Sequence, residues 1–280
     1  MNSLKIKAAA KINLSLSVTG IRGDGYHNID TVMQSVSLYD TLFLSRADKI
    51  TVECGEMSGE KNIAYKAAKL FFEHTGKEGG AFIQIEKNIP DGAGLGGGSA
   101  DAAAVLTGLD RIYNAGLSYE TLLGLAVRLG ADVPFMLMGG TARAKGIGEI
   151  LEPLPALRDC FFIIAKNEKK PSTGEMYSAL DRTEYQRPDI SATVSALKPG
   201  SISGLSETLK NTFSVLWRES PLQKILENTG AAAVSLSGSG PARFAVYESL
   251  AEAEMAKKEL ESKKIECFLC LPAEKSLIIE

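Results

Sequence analysis

The sequence predicts an α+β fold in two parts, on three observations. The first 55 residues read almost entirely as strand. A glycine-rich loop at 92–98 then opens into an alanine-rich helix. The last part of the chain runs strand, strand, helix, strand, an order that a doubly wound parallel sheet does not have.

Each element follows from local pattern. Leu4 to Val18 carries apolar residues in partial alternation, interrupted by alanines around Lys11. Past a turn with Gly20, Gly23 and Gly25, strands are predicted over Ile29–Leu38, Thr41–Leu44 and Ile50–Cys54. Asn62 is placed to cap a helix whose Ile63, Ala67, Leu70 and Phe71 share one face, with Gly76 beyond its end. Ala81–Glu86 alternates as a strand. After the glycine loop a helix is predicted from Ser99 to Asn114. A further helix, capped by Ser118, stops at Gly130, and Pro134 reads as the proline that follows a helix end.

Two prolines in EPLPALR, at 152–158, mark a boundary, giving parts 1–155 and 156–280. Cys160–Ala165 is a short apolar strand. Two or three helices occupy 173–229, the last with Ser220 at its cap, Pro221 at its first position and Gly230 past its end. Strands Ala232–Leu236 and Arg243–Tyr247 are joined across SGSGP. Helix Leu250–Lys263, strand Ile265–Leu271 and an apolar end at Leu277–Ile279 complete the chain.

Composition narrows the function classes. The 280 residues carry 31 Lys+Arg against 34 Asp+Glu, a net charge of −3. That balance gives no basic footprint for nucleic acid. No run of 18 apolar residues suggests a membrane span, and the N-terminus lacks the apolar core of a signal peptide. Four cysteines are too few for a disulfide scaffold, so a cytoplasmic protein with free thiols is expected. Cys267 and Cys270 form a CxxC, but on a strand they point to opposite faces and read as core thiols, not as a metal site. Glycine stands out. Average usage predicts roughly 20 in a chain of this length, and there are 27.

Five of those glycines are Gly92, Gly94, Gly96, Gly97 and Gly98. Glycine lets backbone approach a ligand closely. A helix that starts where such a loop ends offers unpaired N–H groups to a phosphate. The spacing also matches GxGxxG, but a dinucleotide fold needs an acidic residue about 20 positions on at a strand end. The acid nearest that spacing, Asp110, lies inside the predicted helix. The Walker lysine is missing too. Any lysine that serves the phosphates comes from elsewhere.

PDGAGLGGGSADAAA resembles the phosphate loop of the GHMP kinases, roughly P-x-x-x-G-L-G-S/G-S/G-S. Ala10-Lys11-Ile12-Asn13-Leu14, then Gly23-Asp24-Gly25-Tyr26-His27, resembles the opening of one branch, whose alcohol substrate carries a cytidine diphosphate. Leu129-Gly130-Ala131-Asp132-Val133-Pro134-Phe135 resembles that branch's catalytic segment, and Ser237-Gly238-Ser239-Gly240 the family's C-terminal glycine motif. Where the family usually has proline two residues before the first lysine, this chain has Ala9.

The resemblance implies an N-terminal domain like ribosomal protein S5 domain 2 and a ferredoxin-like C-terminal domain. It implies ATP and Mg²⁺, with Pro90, Asp91, Gly92, Ala93, Gly94, Leu95, Gly96, Gly97, Gly98, Ser99 and Ala100 around the nucleotide phosphates. It makes Asp132 the base and Lys11 the charge-neutralising partner. Tyr26 and Tyr177 are expected on the two faces of a cytosine ring, His27 on its edge, and Asn13 and Thr173 near the same substrate. Arg143 and Lys145 alternate on a predicted strand close after Asp132, within reach of a diphosphate or simply solvated. The 237–240 turn either touches substrate or closes a hairpin. The metal's ligands are not readable, and a monomer or homodimer is expected. Two rivals remain: a homoserine or mevalonate type of the same family, and a nucleotide-binding protein without catalysis. Tyr26-His27 argues against the first, Lys11 with Asp132 and an intact loop against the second.

Overall fold

The computed structural model describes residues 2–169, 171–197 and 203–280. Residues 198–202, inside the region predicted to be helical, lie outside the described residues. In chain order the elements are β1 (Ser3–Ile21), β2 (His27–Ala47), β3 (Thr51–Glu53), α1 (Ile63–Thr75), β4 (Gly80–Glu86), α2 (Gly97–Tyr113), α3 (Tyr119–Leu129), α4 (Val133–Met138), β5 (Thr141–Gly146), β6 (Ile150–Pro153) and β7 (Phe161–Lys166). They continue with α5 (Thr173–Leu180), α6 (Ile190–Ala196), α7 (Ser203–Ser206), a 3₁₀ turn (Thr212–Trp217), α8 (Pro221–Glu227), β8 (Ala233–Leu236), β9 (Arg243–Tyr247), α9 (Leu250–Ser262), β10 (Glu266–Cys270) and β11 (Leu277–Ile279).

One sheet runs β11-β1-β2-β4-β3, with β5 on β2 and β6 on β5; the other runs β10-β7-β9-β8. The second, with α9 between β9 and β10 and helices between β7 and β8, is the βαββαβ ferredoxin-like arrangement. β1 and β2 are longer than their alternation suggests. β1 runs through the alanine interruption around Lys11 and β2 through segments predicted separately, because register shifts at Ala9/Ala10, Asn13/Ser15 and Val18/Gly20 absorb the breaks in pattern without ending the pairing. The final strand β11 returns to the first sheet, pairing Ile6 with Ile279.

Three of the four hydrophobic cores among the described residues follow from these faces. Leu4, Ile6 and Ala8 pack with α1, α2, α3 and α4 over the first sheet. Past the irregularity at Ala9/Ala10, Ala10, Ile12 and Leu14 join Phe162, Ile164, Phe244 and Val246, so the first sheet's second half meets the second sheet. The other face of that sheet packs on α8 and α9 through Ile163, Ala165, Ala245 and Tyr247. Cys270 belongs to the core between the sheets and Cys267 packs on the α8/α9 side, opposite faces as the strand period requires. All four cysteines are free.

Three local expectations need correction. The helix after the glycine loop begins at Gly97, not Ser99, with Gly96 as its cap. Gly97 and Gly98 carry no side chain that opposes helical dihedrals, so the helix extends back into the loop. Pro134 does follow the end of α3 at Gly130, but it also stands in the first turn of a helix the sequence did not predict, α4, where its missing N–H costs nothing. Among the described residues, four helices and a 3₁₀ turn fill 173–229 in place of two or three.

Candidate active site

The glycine loop is held by its carbonyls. The Ala93 carbonyl accepts from Ala242 N–H at 3.1 Å, and the Leu95 carbonyl from Lys11 N–H at 2.9 Å. The Gly94 carbonyl between them accepts from Ser237 Oγ at 3.0 Å. In a trans peptide the next N–H points opposite to the carbonyl. The N–H groups of Gly94, Leu95 and Gly96 therefore face away from these donors. Gly97, Gly98 and Ser99 add N–H groups with no acceptor inside the helix. Positive φ at Gly92 (62°), Gly94 (82°) and Gly96 (72°) makes the path open to glycine and costly to other residues. Lys166 Nζ donates to the Asp91 carbonyl at 2.7 Å, so the second sheet also fixes where the loop begins.

Pro90 through Ser99 line a cavity of about 260 Å³. Ala100 lies behind it: its side chain is fully buried, and its N–H is spent on the Gly96 carbonyl.

A larger cavity, of about 580 Å³, adjoins the loop and is shared by both sheets. Lys11, Asn13, Ser99 and Asp132 line its loop end, and Tyr26, His27 and Tyr177 its far end, with Thr173 at the wall of both cavities. Lys11, on β1, is 3% exposed. Its Nζ donates to Asn13 Oδ1 at 2.6 Å and lies 3.4 Å from Asp132 Oδ2. Asn13 Nδ2 donates to Thr31 Oγ1 at 2.9 Å, which fixes the amide's orientation. Asp132 occupies the cap position of α4 but makes no capping hydrogen bond, leaving its carboxylate for the cavity.

The far end is less regular. Tyr26 is 62% exposed on the turn between β1 and β2. That turn is braced by an Arg22–Asp24 ion pair at 3.0 Å and by Tyr26 N–H donating to Asp24 Oδ1 at 3.1 Å. His27 stacks on Tyr177 of α5 at 4.6 Å between ring centres, and Phe213 meets Tyr177 in a T-shaped contact at 4.9 Å. Burial, then the nearby Asp132 carboxylate, raises the Tyr177 phenol above its ordinary pKa. Tyr177 thus faces His27 rather than standing clear opposite Tyr26.

The 237–240 turn is a hairpin closure that also reaches the larger cavity. It closes the β8–β9 hairpin, and Gly238 and Ser239 line the larger cavity. Arg143 is committed elsewhere, in a two-pronged pair with Asp30 at 2.9 and 2.6 Å. Lys145 is exposed and lines neither cavity.

Two groups of residues escaped sequence reasoning. Lys87 lies beside the loop, paired with Asp40 and, at 2.8 Å, with Asp101 of α2. Asp40 also accepts from the N–H groups of Asn88 and Ile89, at 2.7 and 2.9 Å. Burial opposes charge on Lys87, but Asp101 and Asp40 outweigh it and raise its pKa. Burial raises Asp101 to about 7, against the pull of Lys87. The sequence signal was weak: a lysine three residues before Pro90, and two acids with no common period. The second group is Asp181, discussed below.

Among the described residues no cluster of three or more His, Cys, Asp or Glu could hold a metal alone, and no helix is long and apolar enough to cross a membrane.

Known proteins share this arrangement. The model described as GHMP kinases N terminal domain matches residues 62–140, and that described as GHMP kinases C terminal matches 220–266. A 4-diphosphocytidyl-2-C-methyl-D-erythritol kinase from Alkaliphilus metalliredigens is 41% identical over 272 residues, covering 93% of each chain. This chain belongs to that family of GHMP kinases. A relative of the same name from Caldicellulosiruptor bescii is 42% identical over 91% of this chain and 94% of its own. A crystal structure of a 4-(cytidine 5'-diphospho)-2C-methyl-D-erythritol kinase superposes with a TM-score of 0.77 at 33% identity, over 96% of this chain and all of that one. A homoserine kinase from Cytophaga hutchinsonii gives a TM-score of 0.79 at 20% identity over 100% of this chain and 98% of its own, a likeness of fold. The two-part α+β architecture is that of the GHMP kinases, and the protein is an ATP-dependent small-molecule kinase.

Proposed function

We propose that this kinase transfers the γ-phosphoryl group of ATP to the 2-hydroxyl of 4-diphosphocytidyl-2-C-methyl-D-erythritol, a step in non-mevalonate isoprenoid precursor synthesis. The observation that carries the proposal is the Lys11–Asp132 pair, 3.4 Å apart, in a cavity that joins the glycine loop to the Tyr26–His27 turn. The printed names of the relatives support the substrate. The aromatic cluster at the far end suits a base ring better than it suits homoserine or mevalonate.

Phosphoryl transfer asks a protein mainly for positioning and charge stabilisation. The loop's free N–H groups and the start of α2 hold the phosphates in an environment of positive potential. Asp132 takes the hydroxyl proton as the oxygen attacks phosphorus. Lys11 offsets charge on the transferring group and keeps Asp132 in place. Asn13, locked by Lys11 and Thr31, orients the alcohol. Tyr26 offers a ring face to the cytosine, His27 reads its edge while Tyr177 backs the His27 ring, and Thr173 lies at the junction of the two cavities.

The donor set fits Mg²⁺. That ion takes one or two protein oxygens together with nucleotide phosphates rather than a full protein cage, and Ser99 and Asp132 supply oxygens beside the loop. When bound, it neutralises the β and γ phosphate oxygens.

Residues 1–155 would hold the nucleotide and 156–280 close the substrate end. The two family models fall on either side of that division, and among the described residues β11 crosses it to pair with β1. We read the chain as a cytoplasmic enzyme, monomer or homodimer, without a membrane partner, and its near-neutral charge of −3 supports the absence of a nucleic-acid partner. Phosphorus NMR of the product tests the site of transfer. A new monoester on the tertiary C2 oxygen supports the proposal; a phosphate on another hydroxyl contradicts it.

A further inference from the structure

His27 has one strong partner, and it comes from the other half of the molecule. Asp181, which ends α5, meets His27 Nε2 through Oδ1 at 2.7 Å. Tyr177 and Asp181 are four residues apart, so both project from the same side of α5. One stacks on the His27 ring and the other bonds its Nε2. The ring is fixed in plane and in rotation, and the His27 side chain is 8% exposed.

A carboxylate only accepts hydrogen bonds, so Nε2 must carry the hydrogen. The nitrogen that does so is set by the bond the ring makes. Nδ1 has no partner among the described residues, and His27 and Asp181 both line the cavity. A neutral ring held this way offers Nδ1 as an acceptor. Cytosine and uracil differ at this kind of contact: the exocyclic N4 amine of cytosine donates, while O4 of uracil accepts.

We infer that Asp181 is a positioning residue that fixes the His27 tautomer and thereby makes the site select a cytidine-linked over a uridine-linked substrate. The inference rests on the cytidine-linked reading above. Asp181 touches no substrate in this scheme and acts through His27. Two acceptors facing each other across the uracil edge leave both unpaired, a mismatch of the kind that gives strong rejection. Arg182, next in sequence, lines neither the cavity nor the His27 contact.

Two measurements test it. The chain has only two histidines, His27 and His74. Nitrogen-15 NMR of histidine-labelled protein, with His74→Gln for assignment, reports the tautomer directly and needs no change at the site. The expected result is Nε2–H on His27 with Nδ1 unprotonated. An Nδ1–H tautomer, or a doubly protonated ring at neutral pH, overturns the inference and leaves the kinase reading intact. The second measurement compares kcat/KM for cytidine-linked and uridine-linked forms of the same alcohol. Wild type should prefer cytidine by about 100-fold or more. Asp181→Asn, whose amide both donates and accepts, should narrow that preference by roughly tenfold, through KM for the cytidine form with kcat kept. An unchanged preference in Asp181→Asn whose His27 has moved to Nδ1–H refutes the link from tautomer to selection, and Nε2–H retained in Asp181→Leu, which offers no acceptor, refutes the positioning role. Absence of wild-type turnover with either nucleoside refutes the substrate reading itself.

Discussion

Gly94→Ala tests how the two halves grip the nucleotide loop. Gly94 has φ +82°, and a Cβ built there lies 2.4 Å from the Ser237 carbonyl oxygen and 3.2 Å from that of Gly240. Ordinary contact begins at 3.4 Å, so the turn must recede by 3.4 − 2.4 = 1.0 Å. That shift would lengthen the 3.0 Å bond from Ser237 Oγ to the Gly94 carbonyl beyond hydrogen-bond range. The 3.3 Å bond from Asn13 N–H to Ser237 Oγ would go with it. A left-handed alanine costs roughly 1–2 kcal/mol, and each lost hydrogen bond about 1 kcal/mol. The sum is about 3–4 kcal/mol. Gly116→Ala isolates the first term, because Gly116 has φ +68° and nothing within 4 Å of its Cβ position. Urea unfolding of both variants, with ATP affinity by calorimetry, is the assay. Gly94→Ala should lose roughly 2 kcal/mol more stability than Gly116→Ala and bind ATP at least about tenfold more weakly, since the loop carbonyls are no longer pinned. Equal destabilisation of the two variants, with ATP binding kept in both, would refute the clasp.

Asp132→Asn should lower kcat by about 100-fold or more with KM nearly unchanged. Any fall in its melting temperature should come from the lost Lys11 pairing alone, since Asp132 makes no capping bond. Tyr26→Ala should weaken binding of the cytidine-linked substrate by roughly 1–3 kcal/mol, read as Kd by calorimetry; its side chain is 62% exposed, so stability should be unaffected. Asp101 sets a pH dependence. Its ordinary value is 3.8 and burial lifts it to about 7 in the folded chain. Between those values the folded state binds a proton that the unfolded state lacks, so stability falls as pH rises from about 4 to about 7. Asp101→Asn should flatten that part of the wild-type melting profile; an identical slope in both proteins would reject the assignment.

How much of this was legible in the sequence depends on the range of the interaction. The glycine loop could be read because positive φ and close approach restrict residue choice at the position itself. Lys11, Asp132 and the Tyr26-His27 turn were visible only through resemblance, since a lone lysine on a strand carries no local sign of its use. Short α4 was missed because Gly130-Ala131-Asp132-Val133-Pro134 reads equally as a turn, and six residues give no helical period. β2 was read in pieces, and β1 with an interruption around Lys11, because register shifts break alternation without breaking pairing. Partners far apart along the chain left least trace. Lys87 needs acids from β2 and α2, and His27 needs Asp181 from 154 positions on. Nothing in either segment alone announces the other. Tyr177 lines the larger cavity, but its stacking on His27 depends on the docking of α5, which no local pattern encodes.

The most direct test of the central claim is ADP release by the purified protein with three alcohols. The account predicts sustained release with 4-diphosphocytidyl-2-C-methyl-D-erythritol and only background with homoserine or mevalonate. Turnover of either of those two, with none of the cytidine-linked compound, would contradict it.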